Sequence, residues 1–371
     1  MLIGVPKEIK DQEYRVGATP EMVRTFVEAG HIVKVQSSAG KRIGFFDEMY
    51  ADAGASIVER PEQVYDSEMI IKVKEPQASE YPLLKEGQIL FCYLHLAPDP
   101  VQTENLLKSK CVGIAFETVT DASGRNLPLL IPMSEIAGRI SIQAGATALQ
   151  MAYGGKGILM GGVPGVPPAK VVILGGGVAG TQAARVALGL GAHVTILDID
   201  LPRLRQLDSM YGPALTTIYS TTSSIEEYVL QADLLVGAVL IPGKKAPSLV
   251  SKEMIKAMSP GSVVVDVAID QGGCIETSRP TTHTNPTYIV DDVVHYCVAN
   301  MPGACARSST EALGHATQSY ALKIANLGYN KALRNEPGLR AGLNVWFGEV
   351  TNENVAVDLN YEFRCPETVL V

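Results

Sequence analysis

The segment that most restricts this chain is KVVILGGGVAGTQAARVALGLGAHVTILD, Lys170 to Asp198. An apolar run leads into Gly175-x-Gly177-x-x-Gly180. A helical pattern follows, then a second apolar run that ends in an acid 18 residues beyond Gly180. That succession is the βαβ start of a doubly wound parallel sheet with a dinucleotide loop. Gly175 permits the tight turn. Gly177 has no Cβ, so a pyrophosphate can approach the backbone. Gly180 lets the helix lie close on the strand. With Val178, these residues offer free N–H groups at the positive end of the helix dipole. Asp198 can accept bonds from both ribose hydroxyls and would repel a 2′-phosphate, which favours NAD over NADP. The competing readings are an S-adenosylmethionine site or a glycine-rich turn with no ligand.

Ligands of such sheets lie beyond the carboxyl ends of the strands. Ser220, Val239-Leu240 and Ala268-Ile269-Asp270 are read as three more strand ends facing the same ligand. Arg203 is either a flat cation over the adenine or a solvated helix charge.

The 371 residues suggest two domains. Up to residue 127, runs such as LIGV, IVKVQ, MIIKVK, ILFCYLHL and VGIAFE alternate with helical patterns, which predicts βα units. Thr19-Pro20 reads as N-cap and first helical residue, with Gly30 closing that helix. A longer helical pattern opens at Pro132 and reaches about Tyr153. Its small residues (Ala137, Gly138, Ala144, Gly145, Ala146) suit tight packing. A return helix is predicted over Ser309 to Asn326, and Gly328 to Val371 is weakly patterned. The expected fold class is α/β, with two domains that each hold a mostly parallel sheet. The chain falls into three segments: 1–127, a central Rossmann domain over 128–306, and 307–371.

Hydrophobic residues make up 46% of the chain, which excludes global disorder. A net charge of −8 gives no electrostatic footprint for nucleic acid or an anionic membrane. The start, MLIGVPKEIK, reads as a strand rather than a secretory leader. Prolines and Lys170 break up the one membrane-like stretch, so no span is expected. Six scattered cysteines without a C-x-x-C pair fit reduced thiols in the cytoplasm, and no metal cluster is visible.

Taken together, MLIGVPKEIKDQEYRV, MIIKVKEP, YLHLA, LPLLIPMSEIAGR, the glycine loop, DLLVGAVLIPGKKAP, GSVVVDVAIDQGGCIETSRPTTH and VVHYCVANMPGA resemble the L-alanine dehydrogenase family over about residues 1 to 330. The related transhydrogenase NAD-binding domains and saccharopine dehydrogenases share the layout. The resemblance implies reversible NAD-dependent deamination of L-alanine to pyruvate and ammonia, a discontinuous substrate domain built from 1–127 and 307–371, and a homohexamer. Two other readings remain: an NAD(H)-binding module that couples to a partner, and a dehydrogenase of another small amino acid.

By that resemblance, Arg15 holds the substrate carboxylate. A guanidinium provides an always-charged planar fork for that task, although a lone loop arginine is more often a surface residue. Lys74 polarises the keto group. Alternation places Lys72 on the same strand face, and the adjoining Glu75-Pro76 selects Lys74. His95 is the general acid/base, because imidazole exchanges protons near neutral pH. Asp270 orients water and stabilises the cationic iminium; read alone, it is equally a turn acid before Gly272-Gly273. Met133 and Tyr93 border a methyl pocket. Ser134 touches the pyrophosphate or ribose, and Asn300 and Met301 sit near the nicotinamide. The chain departs from the family pattern over residues 304–319, where Cys305-Ala306 and Gly314 to Ser319 replace a proline-bearing run, so hinge geometry and subunit packing are in question there. Lys323 stands where some relatives carry a metal-binding acid.

Overall fold

Short runs of β-branched and aliphatic residues, bounded by Gly, Pro and Asp, form the strands. The computed structural model describes residues 1–239 and 246–370. Its strands are β1 (Leu2–Val5), β2 (Ile32–Gln36), β3 (Ser56–Val58), β4 (Met69–Ile71), β5 (Ile89–Cys92), β6 (Val112–Ala115), β7 (Lys170–Leu174), β8 (His193–Asp198), β9 (Leu215–Tyr219), β10 (Leu234–Gly237), β11 (Val263–Asp266), β12 (Thr287–Val290), β13 (Val293–Tyr296), β14 (Leu343–Trp346) and β15 (Glu349–Val350). The central strands β4, β5, β6, β10, β11 and β13 are buried at every position, as strands covered on both faces must be.

The chain divides into two units, Met1–Met133 with Cys305–Val371, and Ser134–Ala304. The first unit holds an eight-stranded sheet in the order β15-β14-β6-β5-β4-β1-β2-β3. Strands β1 to β6 pair in parallel, and β14 joins β6 antiparallel. The second unit holds seven strands in the order β12-β13-β11-β10-β7-β8-β9, parallel except for the β12–β13 hairpin. In both, the strand order reverses beside the first strand, between β1 and β4 and between β7 and β10. Each reversal opens a crevice at the carboxyl ends of the strands, the usual ligand position in such sheets.

The helix at Pro20–Glu28 starts as its sequence predicts. The Thr19 hydroxyl accepts the Met22 N–H, and Gly30 closes the helix with φ +87°. The long helix spans Ile131–Ala148 and stops short of Tyr153, which lies in a separate turn of 3₁₀ helix. The chain folds back at Gly154-Gly155, where a Cβ on Gly155 would meet the Ala148 carbonyl at 2.2 Å. The expected tight packing is present: a Cβ on Gly138 would stand 2.1 Å from the Ala179 carbonyl, and one on Gly145 2.6 Å from Leu234.

The return helix is longer than predicted, Ala306–Leu327. Its atypical Gly314 leaves ordinary contact distance to Thr19 and Met22, and Thr310 accepts the Val16 N–H at 3.3 Å. The weakly patterned tail is ordered: it supplies β14 and β15 and four helical segments. Its strands are too short for a period to show, and the pairing of β14 with β6 is a long-range event. Among the described residues, no helix is long and apolar enough to cross a membrane.

Candidate active site

The glycine loop in the second unit is built almost wholly from backbone. Gly175 adopts φ +101° and its N–H donates to the Leu197 carbonyl at 2.8 Å. A Cβ there would stand 2.7 Å from the Ala238 carbonyl. A Cβ on Gly180 would lie 1.8 Å from the Gly175 carbonyl, so only glycine lets helix Val178–Gly189 sit on its strand. Around the Cβ position of Gly177, by contrast, no atom lies within 4 Å. Gly177 is the N-cap of that helix and has no side-chain cap, so the cradle opens where a pyrophosphate would need it. Val178 is the first helical residue.

Asp198 ends β8. Its carboxylate accepts the Gly176 N–H at 2.5 Å and the Asp200 N–H at 2.8 Å, which ties the acid to the loop. The Ser220 N–H donates to the Asp198 carbonyl at 2.9 Å, one residue past the end of β9. Arg203 braces the loop: its guanidinium donates to the Gly176 carbonyl and to the Thr181 hydroxyl, each at 2.7 Å. Val239 follows β10 and is half-buried; Leu240 lies outside the described residues.

Asp270 does not end a strand. Strand β11 stops at Asp266, and Val267–Gln271 form a turn of 3₁₀ helix that carries a buried Ile269 and an exposed Asp270. Asp266 causes the bend. Its buried carboxylate accepts the N–H groups of Ala268 at 3.1 Å and Cys274 at 3.0 Å, and burial pushes its pKa up. Asp270 accepts the Asn300 N–H at 3.3 Å, and Asn300 is held at φ +67° with its carbonyl 3.1 Å from His283 Nε2. Met301 is buried beside it, and Ser134 is half-buried near the start of the long helix.

In the first unit, Arg15, Lys74 and His95 follow β1, β4 and β5, three neighbouring parallel strands. Arg15 is not a surface residue, being 2% exposed. Its Nε donates to Glu13 Oε1 at 2.7 Å and its Nη2 to Glu13 Oε2 at 2.6 Å, while Nη1 lies 3.1 Å from the Met133 sulfur. Burial alone would raise the Glu13 pKa, but the Arg15 guanidinium overrides it and holds the carboxyl down at about 2.

The two lysines do not share a strand face, because the strand ends at Ile71, before either of them. Lys72 is fully buried between Glu8 (3.1 Å) and Glu80 (3.2 Å). Burial would lower its pKa, but those two carboxylates raise it, so it stays charged in the core. Lys74 is half-buried, close enough to Glu13 and Glu75 to lower both their pKa values. Glu8 fixes the turn between the lysines by accepting the N–H groups of Val73 (2.6 Å) and Lys74 (3.3 Å). His95 keeps 45% of its side chain exposed, and its ring stacks on Tyr93 at 5.8 Å between centroids.

Two family models match the chain: alanine dehydrogenase/PNT, N-terminal domain, over residues 4–137, and alanine dehydrogenase/PNT, C-terminal domain, over residues 141–353. The chain belongs to the alanine dehydrogenase/PNT family. It is 59% identical over 358 residues to an alanine dehydrogenase of Methanococcus maripaludis, which covers 96% of each chain. It is 54% identical to alanine dehydrogenase 2 of Staphylococcus aureus over the full length of both. A solved L-alanine dehydrogenase superposes with a TM-score of 0.94 at 51% identity, covering 97% of this chain and 99% of that one. A transhydrogenase of Sinorhizobium meliloti shares the fold, with a TM-score of 0.81 at 24% identity.

Among the carboxylates of this alanine dehydrogenase/PNT chain that sequence reasoning missed are Glu13 and Asp266. Each makes its contacts across a short loop, so neither shows a period. Glu13 stands two residues before Arg15, a spacing that could have drawn attention to the pair.

Proposed function

We propose that this chain oxidatively deaminates L-alanine with NAD and catalyses the reverse amination of pyruvate. Alanine, NAD⁺ and water give pyruvate, NADH, ammonium and a proton. When bound, NAD would supply the acceptor for the hydride of the alanine Cα. The glycine cradle of the second unit holds its phosphates, and Asp198 accepts its ribose hydroxyls. Ser134, Ser220, Val239, Leu240, Ile269, Asn300 and Met301 line the remainder, and Arg203 holds the loop in shape. The single observation that carries the reading is the clustering of Arg15, Lys74 and His95 beyond adjacent strand ends, in a full-length relative of alanine dehydrogenases.

In the first unit, Arg15 binds the carboxylate and Lys74 polarises the carbonyl oxygen as it forms. His95 moves the protons that amine loss and water addition require; Asp270, a residue of the second unit, steadies the cationic iminium. Tyr93 and Met133 bound the methyl group. The first unit is thus the substrate domain and the second the cofactor domain. We also propose a homohexamer in the cytoplasm, as the sequence resemblance implies; sedimentation and cell fractionation would test both.

The deciding assay follows the near-ultraviolet absorbance of NADH with L-alanine at alkaline pH, beside glycine and larger amino acids. NADH formation with alanine above all others is expected. No NADH with any amino acid, despite measurable NAD binding, would leave a binding module instead.

A further inference from the structure

We propose that Glu117 is a positioning residue for His95, fixing the backbone that aims the imidazole and standing ready to pair with it when it is protonated. This rests on His95 being the acid/base of the reaction proposed above. Strands β5 and β6 are parallel neighbours, with Cys92 beside Ala115, so the residues just past their ends come together. His95 lies three past Cys92, and Glu117 two past Ala115.

His95 has φ +49°, a left-handed conformation that costs a residue with a Cβ on the order of 1–2 kcal/mol. Such a conformation persists only where the surroundings over-determine it, and it concentrates at working sites. Here the constraint is one carboxylate. Glu117 Oε1 accepts the His95 N–H at 2.6 Å, and both its oxygens lie 3.2 Å from the Leu94 nitrogen that donates to them. The Leu94 carbonyl is held in turn by the Gln102 amide at 2.6 Å. Tyr93 supports one ring face, with its hydroxyl donating to the Leu129 carbonyl at 2.6 Å.

His95 Nδ1 stands 3.9 Å from Glu117 Oε1. That exceeds a hydrogen bond but is within ion-pair reach of an imidazolium.

The test is a double-mutant cycle in the full-length enzyme. Glu117→Ala and Glu117→Gln are each made with His95 and with His95→Ala, and kcat, the KM for NAD and the melting temperature are measured. With His95 present, Glu117→Ala should lower kcat roughly 10–100-fold, the range for carboxylates that orient working imidazoles at metal sites. Glu117→Gln keeps an acceptor for the N–H groups and should lose less. The KM for NAD should stay within about twofold, and Glu117→Ala should cost nothing further beside His95→Ala. Equal losses in both backgrounds, or an undiminished kcat in Glu117→Ala, would overturn the positioning role while leaving the acid/base reading in place. Full turnover in His95→Ala would instead overturn that reading and this one with it. If Glu117→Ala does not fold, Glu117→Gln decides alone: equal losses with and without His95 sink the proposal.

Discussion

Both units lay out their parallel strands in one order, with the first strand beside the point of reversal, yet they fill the space after that strand in opposite ways. After β7 the chain makes a glycine turn and enters a helix at once. Its site is backbone N–H groups and the absence of side chains. After β1 the chain runs through residues 6–19 before its helix begins, and that loop carries Glu8, Glu13 and Arg15. Its site is side-chain charge, paired and mostly buried. The difference shows that sheet topology supplies a crevice without dictating its chemistry. A large anionic cofactor is held by many neutral donors that do not titrate. A three-carbon acid offers few atoms, so it needs full charges, which must be held by counter-charges when empty.

This contrast can be broken in a definite order. The largest effect is expected for His95→Ala in the charged unit, a fall in kcat of roughly 10²–10⁴, the usual share of general acid/base catalysis. Steady-state turnover of alanine measures it, and a near-normal kcat would move the proton transfer elsewhere.

Next is Glu13→Ala, which removes the carboxylate that pairs with the buried Arg15 guanidinium and should cost about 3–5 kcal/mol in urea unfolding. The same pair predicts an acid sensitivity. Glu13 titrates at about 2 when folded, below its ordinary 4.5. Its stabilisation is therefore complete above pH 4.5 and lost as the pH falls from there towards 2. Melting curves of the wild type and Glu13→Gln should converge across that window.

In the neutral unit, Gly180→Ala should cost about 1–3 kcal/mol or more through the clash with the Gly175 carbonyl, and should weaken NAD binding with little change in the pyruvate KM. A tight NAD complex in that variant would show that the loop can yield. The smallest effect is expected for Asp198→Ala. Loss of bonds to a charged acceptor, about 1.5–3 kcal/mol, should weaken NAD and narrow its advantage over NADP, read by titration with both cofactors. An unchanged ratio would assign Asp198 only to holding Gly176.

The glycine loop was legible in the sequence because every part of it lies within one βαβ unit, where spacing and local geometry are nearly the same thing. Asp270 was legible as a residue but not in its setting, because the buried bonds of Asp266 to Ala268 and Cys274 end the strand four residues early. Lys72 and Lys74 looked alike, since alternation cannot tell that Glu8 and Glu80 close over one of them. Glu117 carried no signal, because its partner lies one strand away.

By itself the sequence determined the α/β class, the cofactor loop and the short list of chemically able side chains, since these depend on local pattern and on which functional groups are present. Only the tertiary structure decided which of those groups are paired, buried or turned outward. Those outcomes depend on strand neighbours and counter-charges brought together from distant parts of the chain, and no periodicity along the sequence records them.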